Sequence, residues 1–286
     1  MNDTLQRFLF EHTPIRGEVV RLDAAWQEVL SRHDYPPLVR ARLGEMMASC
    51  LLLSATLKFK GAVIMQVQGD GPINLMVVEA TARRTVRGMA QWQGEVAAGN
   101  LRGQFGDGRL TITIDSGSGE RYQGIVALEG DSLADAIDAY LERSEQLPTR
   151  MWLAADGRSA AGLLLQKLPG SEQDTDAWGR VQALGATVAA EELLTLPAQE
   201  LVHRLFHEED VRLFDAEPVS FHCSCSRERV AGMLHNLGEA EVQDILHSEG
   251  VIEVTCEFCN QRYRFDAVDA ARLFTPAAPD VGSTRH

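Results

Sequence analysis

The chain has 286 residues, 45% of them apolar, and a formal net charge of −14. That is apolar material for a sizeable core, which excludes wholesale disorder, and length for one large domain with a smaller module. Nucleic-acid binding rests on Lys and Arg neutralising phosphates, so the acidic balance and the lack of a basic block argue against it, and against an anionic membrane surface.

The first residues, MNDTLQRFLFEHTP, lack a basic region followed by an apolar core. They read as the start of a cytosolic protein rather than a signal peptide. No apolar run approaches the ~18 residues of a membrane span; the nearest, 46–55, is interrupted by Ser49 and Ser54. Segments 22–32 and 37–57 carry apolar residues at helical spacing, separated by Asp34-Tyr-Pro-Pro37. Strands are predicted at 62–67, 73–78, 85–90, 110–115 and 122–128, the fourth alternating apolar and polar as a half-buried strand should. Gly69-Asp-Gly-Pro72 and Gly117-Ser-Gly119 read as hairpin turns between them. A helix at 131–143 is entered through the cap signal Asp131-Ser132. Strands at 150–154 and 162–166 complete a domain over residues 1–168. Its sheet is expected to hold six or seven strands, largely antiparallel because the connections are short.

Residues 169–218 differ in character: from 171 onward eleven acidic residues face three arginines. Apolar residues still recur at Trp178, Val181, Leu184, Leu193, Leu194, Leu196, Leu201, Val202, Leu205 and Phe206. The pattern predicts short amphipathic helices joined at Gly185 and Pro197, too charged to form a core alone. This linker is expected to be metastable and to depend on its neighbours. Residues 219–274 form a third part, with helices at 226–237 and 239–247 and strands at 251–256 and 262–265. Residues 275–286 read as a disordered tail. The fold class is therefore α+β: an antiparallel sheet domain with packed helices, a helical linker and a small four-cysteine module.

Four of the five cysteines fall in that module, as Cys223-x-Cys225, thirty residues, then Cys256-x2-Cys259. In a reducing compartment such pairs indicate metal or redox chemistry rather than structural disulfides. A CxxC turn points two thiolates at one ion and lets backbone N–H groups bond the sulfurs, and Asn260 suits the positive φ such turns need. Four thiolates are the donor set that zinc takes in closed structural sites; an iron–sulfur cluster also accepts four. The CxC spacing departs from the usual ribbon. It leaves thiols in each half able to form a local disulfide. A module of this size depends on its metal for roughly 10–16 kcal/mol. Oxidation that expels the ion should therefore unfold it and release whatever leans on it.

These residues resemble the redox-regulated bacterial heat-shock chaperones of the heat-shock protein 33 family. The likeness runs over nearly the whole chain. It is carried by Gln68-Gly-Asp-Gly-Pro-Ile73, Gly119-Glu-Arg-Tyr-Gln-Gly124, Leu128-Glu-Gly130, Arg143-Ser-Glu-Gln-Leu-Pro-Thr149, Ala160-Ala-Gly162, Glu191-Glu-Leu-Leu194, Cys223-Ser-Cys-Ser-Arg-Glu-Arg229 and Cys256-Glu-Phe-Cys259. The resemblance implies a cytoplasmic, non-enzymatic, ATP-independent holdase. It implies a monomer, inactive while reduced and zinc-bound. It further implies disulfides Cys223–Cys225 and Cys256–Cys259 on oxidation, loss of zinc, unfolding of module and linker, homodimerisation and capture of unfolding client proteins. The first places to look for a client surface are Trp178, Leu193, Leu194, Leu201, Leu205 and Phe206, with the sheet surface they cover. One departure is Val230, where some members carry an extra cysteine.

Other features take plainer readings. Cys50 sits on a strongly apolar helix and reads as a core thiol. His222 precedes Cys223 but is not needed once four thiolates are present. His203 and His207 share a helical face without the Glu of a metalloprotease motif. Gly69–Pro72 lacks the Lys and Ser/Thr of a phosphate loop. Two rival functions remain: a nucleic-acid-associated zinc ribbon, disfavoured by eight acids against four arginines over 219–266, and a thiol–disulfide oxidoreductase. The latter needs its CxxC at a helix start with no second pair claiming it.

Overall fold

The computed structural model describes residues 3–57, 60–128, 130–170 and 174–275. The expected tail at 275–286 thus lies almost wholly outside the described residues. Two compact units are present, Met1–His222 and Cys223–His286.

The first unit opens with strands β1 (Thr4–Phe10) and β2 (Ile15–Leu22), then helices α1 (Ala24–Leu30) and α2 (Pro37–Thr56). A meander of β3 (Ala62–Gln68), β4 (Ile73–Thr81) and β5 (Thr85–Trp92) follows. After the short α3 (Leu101–Phe105) come β6 (Arg109–Asp115), β7 (Arg121–Ala127) and α4 (Leu133–Ser144). Strands β8 (Thr149–Ala155) and β9 (Ala160–Lys167) lead into α5 (Ala177–Gly185), α6 (Ala190–Thr195) and α7 (Ala198–Phe206). Three short strands end the unit: β10 (Val211–Leu213), β11 (Glu217–Pro218) and β12 (Ser220–Phe221).

These strands make two sheets, not the single sheet expected. One runs β10-β1-β2-β9-β8 with β11 also on β1; the other runs β12-β5-β4-β3-β6-β7. All pairings are antiparallel except β12 on β5. The difference arises at the N-terminus. Hairpin β1–β2 was not predicted, although Arg16 and Glu18 alternate with Ile15, Gly17 and Val19 as in a half-buried strand. It closes on β9 from the far end of the domain, Ile15 opposite Lys167 and Leu22 opposite Ala160. The predicted helix at 22–32 is likewise shorter, since Leu22 belongs to β2. The Asp3 carboxylate accepts the backbone N–H groups of Asp23, Ala24 and Ala25 at 2.5–2.8 Å. A helix N-terminus is capped here from a distant residue rather than by a local signal.

Helix α2 lies between the sheets, touching β3, β4 and β5 of one and β2, β8 and β9 of the other. From Met46 to Ala55 it is buried all round and carries no charged residue, whereas its first half bears Arg40, Arg42 and Glu45. Its buried hydroxyls are satisfied within the helix, Ser49 bonding Met46 O and Ser54 bonding Leu51 O. Cys50 is fully buried with its thiol 3.4 Å from Val63 O, a core position.

The opposite face of the first sheet carries Phe8, Phe10, Ile15, Val19, Leu163 and Leu165 and is covered by the helices of the acidic segment. Leu193, Leu201, Val202, Leu205 and Phe206 are buried there. The Phe206 ring meets Phe8 and Phe10 at centroid distances of 5.8 and 5.1 Å. Two glycines permit the fit. A Cβ on Gly17 would lie 2.0 Å from the Phe8 ring, and one on Gly185 would lie 2.7 Å from Trp152.

The second unit holds α8 (Arg227–Leu237), α9 (Glu239–Glu249), β13 (Ile252–Thr255), β14 (Arg262–Phe265) and α10 (Ala267–Phe274). Gly238 separates the first two helices at φ 100°, and Gly250 ends α9 in the left-handed region. Its apolar core consists of Leu234, Val242, Leu246, Ile252, Phe265 and Ala270. Among the described residues no helix is long and apolar enough to cross a membrane.

One core group opposes folding. Glu18 is 1% exposed, and neither carboxylate oxygen has a hydrogen-bond partner. Burial pushes its pKa up to about 8 against the pull of Arg16, Arg84 and Arg7. A folded-state pKa above the unfolded one gives stability that is complete below the ordinary carboxylate range and is lost as pH rises through about 8. Over the full window the loss approaches roughly 5 kcal/mol. The Glu18→Gln chain should therefore show a flatter fall in urea midpoint between pH 6 and pH 9 than the unaltered chain. Parallel falls would refute the role given to Glu18.

Candidate metal and redox centre

The four thiols are carried by two loops of the second unit. Cys223 and Cys225 precede Ser226, which caps α8 by accepting the Arg229 N–H. The Arg229 guanidinium donates back to Ser224 Oγ at 2.7 Å and fixes the short CxC loop. Cys256 and Cys259 lie in the turn of the β13–β14 hairpin, whose register pairs Ile252 with Phe265 and Thr255 with Arg262. That turn is closed by Asn260 N–H to Cys256 O at 2.8 Å and Cys256 N–H to Gln261 O at 2.9 Å. Asn260 takes φ 56°, the conformation its residue type was expected to accept.

The four sulfurs all lie within 4.8 Å of one another. Two approaches run between the pairs, Cys223 to Cys256 at 3.7 Å and Cys225 to Cys259 at 3.3 Å. None of the four is joined in a disulfide. A tetrahedral ion with sulfur bonds of about 2.3 Å places its ligands about 3.8 Å apart, so the donor set and its spacing fit one such ion. Burial pushes the Cys256 and Cys259 thiols up, while backbone N–H groups of Phe258 and Cys259 on Cys256, and of Gln261 on Cys259, pull them down. A cation at the centre reverses the burial effect by favouring thiolates. His222 belongs to the first unit, where its N–H bonds Val86 O, and it is not in the sulfur cluster.

Two contributors were not legible in the sequence. The Tyr263 hydroxyl donates to Cys225 Sγ at 3.1 Å. Arg227 lies 4.3 Å over the Phe265 ring while bonding Arg264 O and the Asp269 carboxylate. Only the strand alternation of 262–265 hinted that Tyr263 and Phe265 share one face. The other expected surface is packed away: Leu193, Leu201, Leu205 and Phe206 are buried and Trp178 and Leu194 half-buried against the first sheet. His203 and His207 pack edge to face at 6.0 Å on α7.

Comparison with known proteins decides the lineage. The Hsp33 protein family model matches residues 3–266. The chain belongs to the Hsp33 family. A 33 kDa chaperonin of Nitrosococcus oceani is 52% identical over 99% of each chain. Another from Methylobacillus flagellatus is 51% identical over 96% of this chain and 95% of the relative. The crystal structure of an Hsp33 homologue from Thermotoga maritima superposes with a TM-score of 0.80 over 95% of this chain and 97% of its own. At 24% identity that likeness speaks to the fold, and it matches the α+β arrangement with a C-terminal cysteine cluster.

Arg227 ties α8 to β14 and α10, so within this family member it should matter to the module alone. Arg227→Ala is expected to cost about 1–2 kcal/mol, given a half-exposed ion pair and one cation–π contact. Amide hydrogen exchange should quicken in β14 and α10 and stay unchanged in β3–β6. Unchanged exchange in β14 would show that the contact contributes nothing.

Proposed function

We propose that this chain is an ATP-independent holdase of the cytoplasm, switched on by oxidation, and not an enzyme. The observation that carries the reading is the cluster of four cysteine sulfurs within 4.8 Å in a unit whose own apolar core is six side chains. Cys223, Cys225, Cys256 and Cys259 would hold one zinc ion as thiolates. Bound there, zinc supplies the crosslink that a core this small lacks. In that state the protein is a monomer, and the apolar face of the segment 169–218 stays on the first sheet.

Hydrogen peroxide accepts two electrons from each cysteine pair. Two thiols and one peroxide give one disulfide and two waters. The pairs that close are Cys223–Cys225 and Cys256–Cys259, since each then forms within one loop. Closure within each pair uses up both thiolates of that loop and so ends chelation. The module unfolds, the linker helices leave the sheet, and Trp178, Leu193, Leu194, Leu201, Leu205 and Phe206 with the Phe8–Phe10 face become available to unfolding clients and to a second copy of the chain. The domain reading follows: a core over 1–168, a releasable linker over 169–218 and a sensor over 219–274.

Reduced, zinc-loaded chain should fail to suppress aggregation of a thermally unfolding client. Chain treated with peroxide at heat-shock temperature should suppress it, lose about one zinc per chain, and elute as a dimer. Equal suppression in both states would defeat the switch, and retention of helicity after zinc loss would defeat the unfolding step. A Cys259→Ser chain should bind zinc far more weakly and suppress aggregation without oxidant.

A further inference from the structure

We propose that Tyr263 is a positioning residue of the sulfur site, its hydroxyl holding Cys225 in the ion-binding arrangement and slowing that sulfur's attack on peroxide. The inference rests on the metal-held redox reading of the four cysteines.

The two halves of the site differ in how their sulfurs obtain hydrogen bonds. The CxxC turn supplies its own donors: the backbone N–H groups of Phe258 and Cys259 reach Cys256 Sγ, and that of Gln261 reaches Cys259 Sγ. With a single residue between its cysteines, the CxC loop has no room for such a turn. After Cys225 the chain runs on extended through Ser226 at φ −151° and ψ 163°, into α8. The donor to Cys225 comes instead from a side chain, the Tyr263 O–H at 3.1 Å.

Placement makes this contact a brace between the halves. Tyr263 stands on β14 opposite Val254, in the hairpin that carries Cys256 and Cys259. Its hydroxyl therefore crosses from the CxxC hairpin to the CxC loop. Cys225 Sγ itself lies 3.3 Å from Cys259 Sγ, so a donor that fixes one fixes the spacing of the other. Groups that hydrogen-bond metal ligands orient them and set their electron density, and their loss typically weakens metal affinity about 10–100-fold.

The same bond bears on oxidation. In the reactive step a sulfur lone pair attacks one peroxide oxygen, the O–O bond breaks, and a sulfenic acid forms as hydroxide leaves and is protonated to water. The second thiolate of the pair then attacks that sulfur, forming the S–S bond and expelling the second oxygen as water. A hydrogen bond to the thiolate draws on the lone pair that makes the first attack. Tyr263 thus restrains Cys225 with a group that one substitution removes.

Tyr263→Phe deletes the hydroxyl and keeps the ring. In full-length, zinc-loaded, reduced protein, chelator competition should show zinc held about tenfold more weakly. Under peroxide, quenched alkylation and mass spectrometry of each cysteine should show Cys225 oxidised several-fold faster at early times, with Cys256 and Cys259 changed less. Unaltered zinc affinity together with unaltered Cys225 kinetics would overturn the proposal. So would an equal acceleration at all four cysteines, which marks general loosening of the module. Titration of the unaltered chain separates the two readings: if it takes up no zinc, the site assignment itself fails, whereas a Tyr263→Phe chain indistinguishable from a zinc-binding parent removes only the role of the hydroxyl.

Discussion

The sulfur cluster of the second unit does what an apolar core does elsewhere in the chain. Six buried apolar side chains close that unit, one of them an alanine. Small domains bury a modest fraction of their surface, and below a few tens of residues they need a crosslink or an ion to stay folded. The cysteines occupy the one place where a crosslink would join the entry to α8 with the β13–β14 turn. The other connections, such as Arg227 bridging α8, β14 and α10, are partly exposed and weak by comparison. Under the proposed zinc-held reading, the stability of such a unit would depend on the chemical state of four sulfur atoms.

The first unit has the opposite economy. Helix α2 is buried on both sides between two sheets, and much of the domain's apolar contact passes through it. Titratable groups buried in or against that layer include Glu18, Glu45 and Asp138, whose carboxyls burial pushes up, and Cys50, whose thiol it pushes up beyond easy ionisation. Of the five cysteines, Cys50 is fully buried in the core, whereas Cys223, Cys225 and Cys256 of the cluster are part-exposed and Cys259 is buried beside them. The contrast follows from position alone.

Much of this was legible in the sequence. Alternation and Gly-rich turns located β3 to β7, because those signals are local. The punctuation at Gly185 and Pro197 located α5 to α7 for the same reason, and the cysteine spacing located the site. The division into two sheets was not legible. Strand β2 reaches across the chain to β9, a partner that no local signal names. The start of α1 was misplaced because its cap, Asp3, sits twenty residues away in sequence from the N–H of Asp23. Tyr263 was invisible as a contributor to the site, since a tyrosine in a short strand carries no sign of what its hydroxyl reaches. Local chemistry reads out of sequence; long-range partnership requires the fold.

The acidic segment is an ordered layer that its charges do little to hold. Its three arginines are all engaged: Arg180 with Asp174 and Glu209, Arg204 with Glu192, and Arg212 with Glu11. These pairs are partly exposed, so each contributes at most about 1 kcal/mol. Eleven acids against three arginines leave a net repulsion within the layer. What holds it is apolar burial, above all Phe206 among Phe8 and Phe10, where truncating one such ring costs about 3–5 kcal/mol. Hydrophobic burial is non-directional and specifies no single partner. A face that leaves the sheet is therefore suited to any other apolar surface, and the sheet face it leaves behind is suited in the same way. In the proposed release, the excess of acids would keep the detached segment solvated, so that release need not lead to collapse.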